Sequence, residues 1–343
     1  MAVVTSVNSP ITVSGSSGSD RLFGTSGNDV LFGGLGQDII FGNAGRDISV
    51  LSGLRNQSAV NPESNASGGG IASFGPDGPD FHVAIETLRF TDGSLSFSSD
   101  TTAAQVYRLY ETALGRAPDA ISLSVWTDAL ESGKAGAREL ARAIADSAEF
   151  KAKYGALDDT GFVSQLYRDV LGREVDAAGL TNLRGQLASG ATRGDVVLGL
   201  SESSENVART GAAVSAGLWT PNTATVDVVR QYETALGRAP DAGGLTYWIG
   251  ALQSGVTPEQ LGQALTTSAE FTARYGGLSN REFVSQLYQN SLDRPGDAGG
   301  VEYWTRALDS GAASRGGVVS GFANSAEMTA KVLPLVSNGT AVA

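Results

Sequence analysis

The sequence predicts an α+β multidomain chain in which a strand-rich N-terminal region precedes an all-α tandem repeat array. Three observations carry this. Residues 1 to about 100 are rich in Gly, Ser, Asn and Asp and hold short apolar bursts such as DVLF and DIIF, a texture of short strands and tight turns. From Thr101 onward Ala, Leu, Glu and Arg recur at three- and four-residue spacing, which is the period of a helix. The helical part also repeats itself: YETALGRAPDA stands at Tyr110–Ala120 and again at Tyr232–Ala242, and FVSQLY at Phe162–Tyr167 and Phe283–Tyr288. A unit of about 120 residues is duplicated, and each unit contains two related modules.

The N-terminal region opens on a nine-residue period. Gly15 to Val50 reads GSSGSDRLF, GTSGNDVLF, GGLGQDIIF, GNAGRDISV. Glycines at the first and fourth positions, Gly15/Gly18, Gly24/Gly27, Gly33/Gly36 and Gly42/Gly45, permit turns that expose carbonyls. Leu22, Leu31 and Ile40 are placed to point inward as a thin core, with Ser49 in that position in the last copy. Asp20, Asp29, Asp38 and Asp47 return once per copy, so stacked turns would bring carboxylates and loop carbonyls into oxygen cages. Hard divalent cations prefer oxygen, and Ca2+ tolerates irregular loop geometry better than Mg2+ does. Beyond the repeats, HVAIETLRFTDGSLSF reads as two strands joined by a Thr-Asp-Gly turn.

These copies resemble the GGxGxDxUx nonapeptides of the RTX (repeat-in-toxin) family, although only GGLGQDIIF matches the whole pattern. The resemblance implies a calcium-binding parallel β-roll with two repeats per turn, pairing Asp20 with Asp38 and Asp29 with Asp47. The metal set it implies is those four aspartates with Gly15, Gly18, Gly24, Gly27, Gly33, Gly36, Gly42 and Gly45, holding about two to three Ca2+ ions.

Four helical modules align from near residues 104, 162, 226 and 283. In each, a Tyr and a Leu share a face of the first helix (Tyr110/Leu114, Tyr167/Leu171, Tyr232/Leu236, Tyr288/Leu292). Arg116, Arg173, Arg238 and Arg294 follow in the turn. Asp119, Asp176, Asp241 and Asp297 then suit the N-cap of a second helix, with a local ion pair to the Arg. Trp126, Trp248 and Trp304 fall on the apolar stripe of that helix and read as core positions. Gly133, Gly190, Gly255 and Gly311 suit its end, and a Ser-x-Glu signal (Ser147/Glu149, Ser203/Glu205, Ser268/Glu270, Ser325/Glu327) suits the cap of a short last helix. The motif LYxxxLGRxPDxxGLxxW is similar to a bacterial domain of unassigned function that often follows RTX repeats.

The expected divisions are residues 1–100 for the roll and flanking strands, 101–210 for the first pair of modules and 211–225 for a linker. The second pair follows at 226–335, with a tail at 336–343. Trp219, in the linker, is the tryptophan expected to serve contacts.

A net charge of −12, with four lysines against 20 arginines, repels nucleic acid and anionic membranes and attracts cations. No cysteine exists for a disulfide, a thiolate site or a Cys nucleophile, and no apolar run approaches a membrane span. His82, the single histidine, leaves no ligand set for zinc hydrolysis and no marked Ser-His-Asp arrangement. Because the best Asp and Glu candidates recur fourfold, they read as architecture, and no enzyme is expected. The start of the chain shows no cleavable secretory signal. The RTX resemblance implies extracellular or cell-surface localisation through type I secretion, with an uncleaved signal in LPLVSNGTAVA. The leading reading is a calcium-dependent surface-layer, biofilm-matrix or adhesion component that self-associates through its modules. The alternative is a glycan- or receptor-binding protein, with a cell-surface polysaccharide as partner, and a hydrolase comes third.

Overall fold

In a computed structural model, which describes residues 9–63 and 69–343, the chain forms two compact units. The first eight residues, part of the stretch read as lacking a secretory signal, lie outside the described residues. One unit takes in Met1–Leu51, Val60–Arg89 and Ser94–Thr220; the other takes in Ser52–Ala59, Phe90–Gly93 and Pro221–Ala343.

The nonapeptides set the start of the first unit. Strand β1 (Thr12–Ser14) leads into the first copy, and each copy then supplies three extended residues: β2 (Arg21–Phe23), β3 (Val30–Phe32), β4 (Ile39–Phe41) and β5 (Ile48–Val50). The next Gly-x-x-Gly ends β1 to β4 after those three residues, and Leu51-Ser52-Gly53 follows β5. Alternate strands fall into two different sheets. β1, β3 and β5 pair in parallel with Thr12 beside Val30 beside Ile48, and β2 pairs in parallel with β4, Arg21 beside Ile39. The middle residue of each triplet turns inward: Leu22, Leu31 and Ile40 are buried, and so is Ser49.

Five further strands complete the two sheets: β6 (Ala59–Glu63), β7 (Gly70–Gly75), β8 (Gly78–Val83), β9 (Thr87–Phe90) and β10 (Gly93–Ser96). One sheet runs β2-β4-β8-β7-β6 and is mixed, because β8 is parallel to β4 and antiparallel to β7. The other runs β1-β3-β5-β9-β10 and ends on β11 (Leu218–Pro221), from far along the chain. The segment HVAIETLRF differs from the single strand expected. His82 and Val83 close β8, Ala84 turns with φ of 50°, and β9 begins at Thr87.

Each helical module has four helices. The first unit holds α1 (Thr102–Leu114), α2 (Ala120–Glu131), α3 (Ala137–Asp146), α4 (Ala148–Tyr154), α5 (Asp159–Leu171), α6 (Ala177–Ala188), α7 (Arg193–Ser201) and α8 (Ser204–Ser215). The second holds α9 (Thr223–Leu236), α10 (Ala242–Gln253), α11 (Pro258–Thr266), α12 (Ala269–Tyr275), α13 (Asn280–Leu292), α14 (Ala298–Asp309), α15 (Arg315–Ala323) and α16 (Ala326–Val336). Asp119, Asp176, Asp241 and Asp297 cap the second helices, each accepting a backbone N–H three residues on. Ser147, Ser203, Ser268 and Ser325 cap the fourth helices in the same way. Trp126, Trp248 and Trp304 are only half-buried.

The arginine after each first helix does not pair with the aspartate three residues on. Arg116, Arg173, Arg238 and Arg294 reach Glu149, Glu205, Glu270 and Glu327 of the Ser-x-Glu signals at 2.8, 2.6, 2.7 and 2.9 Å. The same guanidiniums lie over Tyr110, Tyr167, Tyr232 and Tyr288. A guanidinium fork is best met by a carboxylate with both oxygens free, and each aspartate has committed one oxygen to its cap. The resulting Tyr–Arg–Glu clasp ties the first helix of every module to its fourth.

A second arginine locks the modules in pairs. Arg193 donates to the carbonyls of Tyr154 and Leu157 and lies 4.7 Å over the Phe162 ring. Arg315 repeats this on Tyr275, Leu278 and Phe283, also at 4.7 Å over the ring. Ala137 and Pro258 hold the equivalent places in the first and third modules, so the lock occurs once per pair. Beside it the third helices cross closely. A Cβ on Gly194 would stand 2.9 Å from the Ala141 carbonyl, and one on Gly316 2.6 Å from Cα of Gln263.

Residues 211–225, expected as a linker, carry the end of α8, the buried strand β11 and the start of α9. Trp219 is buried in that strand, contrary to the contact role expected of it, because Leu-Trp-Thr extends a sheet edge. Within the second unit the final residues are also held: Thr340 N donates to Asp92 Oδ2 at 3.0 Å, and Asn56 donates to the Thr340 carbonyl at 2.7 Å.

Phe283, fully buried beside Phe271 and Tyr275, tests the packing of the second unit. Phe283→Ala is expected to cost about 3–5 kcal/mol in denaturant unfolding, whereas Tyr247→Ser, at a side chain 67% exposed, stays within about 0.5 kcal/mol.

Candidate metal centre

The repeat aspartates sit in the loops that precede the strands, and a backbone-to-carboxylate ladder aligns them. Asp20 N donates to Asp38 Oδ1 at 2.8 Å and Asp29 N to Asp47 Oδ1 at 2.7 Å, each across 18 residues. Ile11 N donates likewise to Asp29 Oδ1 at 2.8 Å. The structure thus brings Asp20 beside Asp38 at one edge of the strand stack and Asp29 beside Asp47 at the other. The ladder continues past the repeats: Asp38 N donates to Asp80 Oδ1 at 3.0 Å, and Asp47 N to Glu86 Oε2 at 2.7 Å.

The second oxygen of each carboxylate turns back toward its own loop, where the second residue of the copy decides its state. Ser16 satisfies Asp20 Oδ2 through its N–H and hydroxyl, each at 2.7 Å, and Thr25 does the same for Asp29 Oδ2. Gly34 and Asn43 occupy that place in the third and fourth copies. There Asp38 Oδ2 and Asp47 Oδ2 are buried without a hydrogen-bond partner.

The electrostatics follow. The Ser16 N–H, then its hydroxyl, holds the Asp20 carboxyl below its ordinary value. Burial pushes Asp47 up to about 6, with the charges of Glu86 and Asp29 adding to the effect. It pushes Asp80 up to about 6 as well, with Asp38 and Asp77 adding. Burial likewise raises Glu86. Buried carboxylates of like charge, with oxygens that nothing satisfies, form a donor set complementary to a cation.

Among the described residues no three of His, Cys, Asp or Glu converge on one point, so an ion here would draw its remaining ligands from main-chain carbonyls, other side-chain oxygens or water. The loops supply carbonyls. A Cβ on Gly15 would fall 2.0 Å from the Gly33 carbonyl oxygen, and one on Gly24 would fall 2.5 Å from that of Gly42 and 2.6 Å from Asp29 Oδ2. Few carboxylates with many carbonyls suit a hard, irregularly coordinated ion such as Ca2+. The glycines are not equivalent, however: a Cβ on Gly18 meets nothing nearer than 4.0 Å, while Gly36 and Gly45 adopt φ of 124° and 127°.

His82 is fully buried in the inward position beside Ile40, and its Nε2 lies 2.9 Å from the buried Ser73 hydroxyl. Burial holds the ring down to about 4, and Nδ1 meets no hydrogen-bond partner. This Ser-His pair therefore has neither the third group nor the access to substrate that a hydrolytic triad requires.

Stacked nonapeptide loops with orphaned carboxylate oxygens, joined to paired helical modules, define a calcium-binding repeat protein. Family models agree. The description "RTX calcium-binding nonapeptide repeat (4 copies)" matches residues 14–48, and "Domain of unknown function (DUF4214)" matches residues 93–153, 141–210 and 262–332. The latter copies span more than half of the chain, which belongs to that family of unassigned function. RTX repeats imply secretion by the type I route, and among the described residues no helix is long and apolar enough to cross a membrane. No curated protein matches the chain. Among solved structures, that of the extracellular lipase LipA from Serratia marcescens matches at 21% identity over 28% of this chain and 18% of that one, with a TM-score of 0.15.

The crowding at Gly24 and the open space at Gly18 set these two glycines apart. Gly24→Ala is expected to raise the Ca2+ concentration needed to fold the strand region by about tenfold or more, while Gly18→Ala leaves it nearly unchanged, as followed by circular dichroism in a Ca2+ titration. Ser49→Ala is expected to stabilise the strand region by about 1–2 kcal/mol in thermal melts with Ca2+, since the buried Ser49 hydroxyl has no partner to lose.

Proposed function

We propose that the nonapeptide turns form a Ca2+-loaded β-roll with Asp20, Asp29, Asp38 and Asp47 as side-chain ligands and the loop glycines as the source of carbonyls and turns. The orphaned Oδ2 atoms of Asp38 and Asp47 support this most directly. Outside the cell, where Ca2+ reaches the roughly millimolar level that such modules use, the ion neutralises the buried carboxylates and the roll folds.

The loaded protein then serves as an extracellular structural component of a surface layer, matrix or adhesive contact, with its modules joining copies of the chain. One observation supports this part. Tyr247 and Tyr303 occupy the same place on α10 and α14, are 67% and 65% exposed, and each packs edge-on against its neighbour, Trp248 or Trp304, at 5.0 Å. The second unit so presents one aromatic surface twice, and a repeated surface that meets a different patch on the next molecule propagates. The polar residues that recur in every module are engaged in caps and clasps, which suits architecture. The same exposed rings also favour a second reading, in which they stack on the sugar faces of a cell-surface polysaccharide.

Light scattering behind size exclusion is expected to show Ca2+-promoted association that Tyr247→Ser with Tyr303→Ser weakens at unchanged fold. A strict monomer at high concentration, combined with saturable polysaccharide binding that the same pair of substitutions abolishes, would replace the structural reading by the glycan-binding one.

A further inference from the structure

The carboxylate ladder does not stop where the repeat motif stops. Asp80 receives the N–H of Asp38 just as Asp38 receives that of Asp20, and Glu86 receives the N–H of Asp47 just as Asp47 receives that of Asp29. The strands behind them are in step. Ile39, Ile40 and Phe41 pair in parallel with Phe81, His82 and Val83, and Ile48, Ser49 and Val50 with Thr87, Leu88 and Arg89.

The register exposes a disguised copy of the period. Residues 75–83 read Gly-Pro-Asp-Gly-Pro-Asp-Phe-His-Val, with glycine at the first and fourth positions, aspartate at the sixth and the inward residue, His82, at the eighth. Gly78 adopts φ of 127°, as Gly36 and Gly45 do at the same position, and a Cβ there would fall 1.8 Å from the Gly36 carbonyl oxygen. Residues 51–74 interrupt the period and remove this copy from the run that the four neighbouring ones form.

A shortened copy then follows. A Cβ on Gly42 would fall 2.0 Å from the Ala84 carbonyl oxygen and 2.5 Å from Asp47 Oδ2, so Ala84 takes the place that Gly33 takes over Gly15 and Gly42 over Gly24. Only Ile85 separates Ala84 from the acidic residue, and that residue is Glu86, whose extra methylene spans what the missing loop residues would have spanned.

We infer that Asp80 and Glu86 are calcium ligands in two further inter-loop sites, one shared with Asp38 and one with Asp47. This rests on the proposed loading of the nonapeptide loops with Ca2+. The two orphaned oxygens, Asp38 Oδ2 and Asp47 Oδ2, belong to the two aspartates that face these added loops, and both side chains are fully buried. Asp20 and Asp29 do not abut the added loops, and their Oδ2 atoms are satisfied by their own loops. The unmet acceptors thus belong to the two copies that adjoin the added loops, those whose aspartate N–H groups go to Asp80 and Glu86. The two added sites unite one segment before the interruption with one after it, so Ca2+ would fasten residues 75–89 to the repeat region.

Hydrogen exchange on the intact chain, in chelator and in several millimolar Ca2+, tests this without a variant. Ca2+ is expected to slow exchange at residues 75–88 together with residues 15–50. Protection confined to 15–50 overturns the inference and leaves the loading of the nonapeptides standing; protection in neither segment overturns both. Native mass spectrometry adds a count. Asp80→Asn and Glu86→Gln are each expected to bind one Ca2+ fewer than the unaltered chain, and an unchanged count for both overturns the assignment.

Discussion

The strand region depends on one repeated interaction: an aspartate backbone N–H given to the carboxylate that lies one coil further along. Such a bond satisfies a main-chain donor that no strand ladder reaches and fixes the loop spacing in the same step. It also concentrates negative charge, because the acceptor has to be ionised to accept well, and every added coil brings another carboxylate next to the last. The arrangement that aligns the backbone therefore creates the electrostatic problem that a cation solves. On the proposed reading, the alignment of the backbone and the need for an ion have a single origin.

The helical modules solve the equivalent problem by internal pairing. Their repeated charges are matched within the module, as Arg116 with Glu149 and its three counterparts show, and matched exposed pairs add modest stability without needing a ligand. The two halves of the protein consequently answer differently to their surroundings. One leaves buried carboxylate oxygens unmet, at Asp38 and Asp47, and the other matches its repeated charges from its own sequence.

How much of this was legible in the sequence depended on range. Interactions within a few residues could be read: the Asp and Ser caps, the αL glycine at Gly133, and the inward Leu22, Leu31 and Ile40 all follow from local spacing. The clasp could not, although both partners recur four times, because about thirty residues separate them and a nearer aspartate offered itself first. Trp219 was misplaced for a related reason, since a short apolar triplet among Gly, Ser, Asn and Thr looks like a linker until a sheet edge is present to receive it. Asp80 and Glu86 were missed because the interruption broke the phase and because proline, histidine and glutamate stand where the period calls for other residues. A search for glycine three residues before Gly-x-Asp, without demanding contiguity, would have found the copy at Gly75.

The position of β11 bears on how such a chain is assembled from parts. This strand ends the sheet that starts at β1, and Thr220 donates to the Ser94 carbonyl across 126 residues. The first pair of helical modules therefore lies inside the sheet's span like a clause in parentheses, with β10 opening and β11 closing. Recombination that exchanged modules at the composition boundaries alone would leave one parenthesis unmatched and a sheet edge bare. A transferable block has to carry Leu218–Pro221 with the helices that precede it, so the heritable module is longer than its helical repeat.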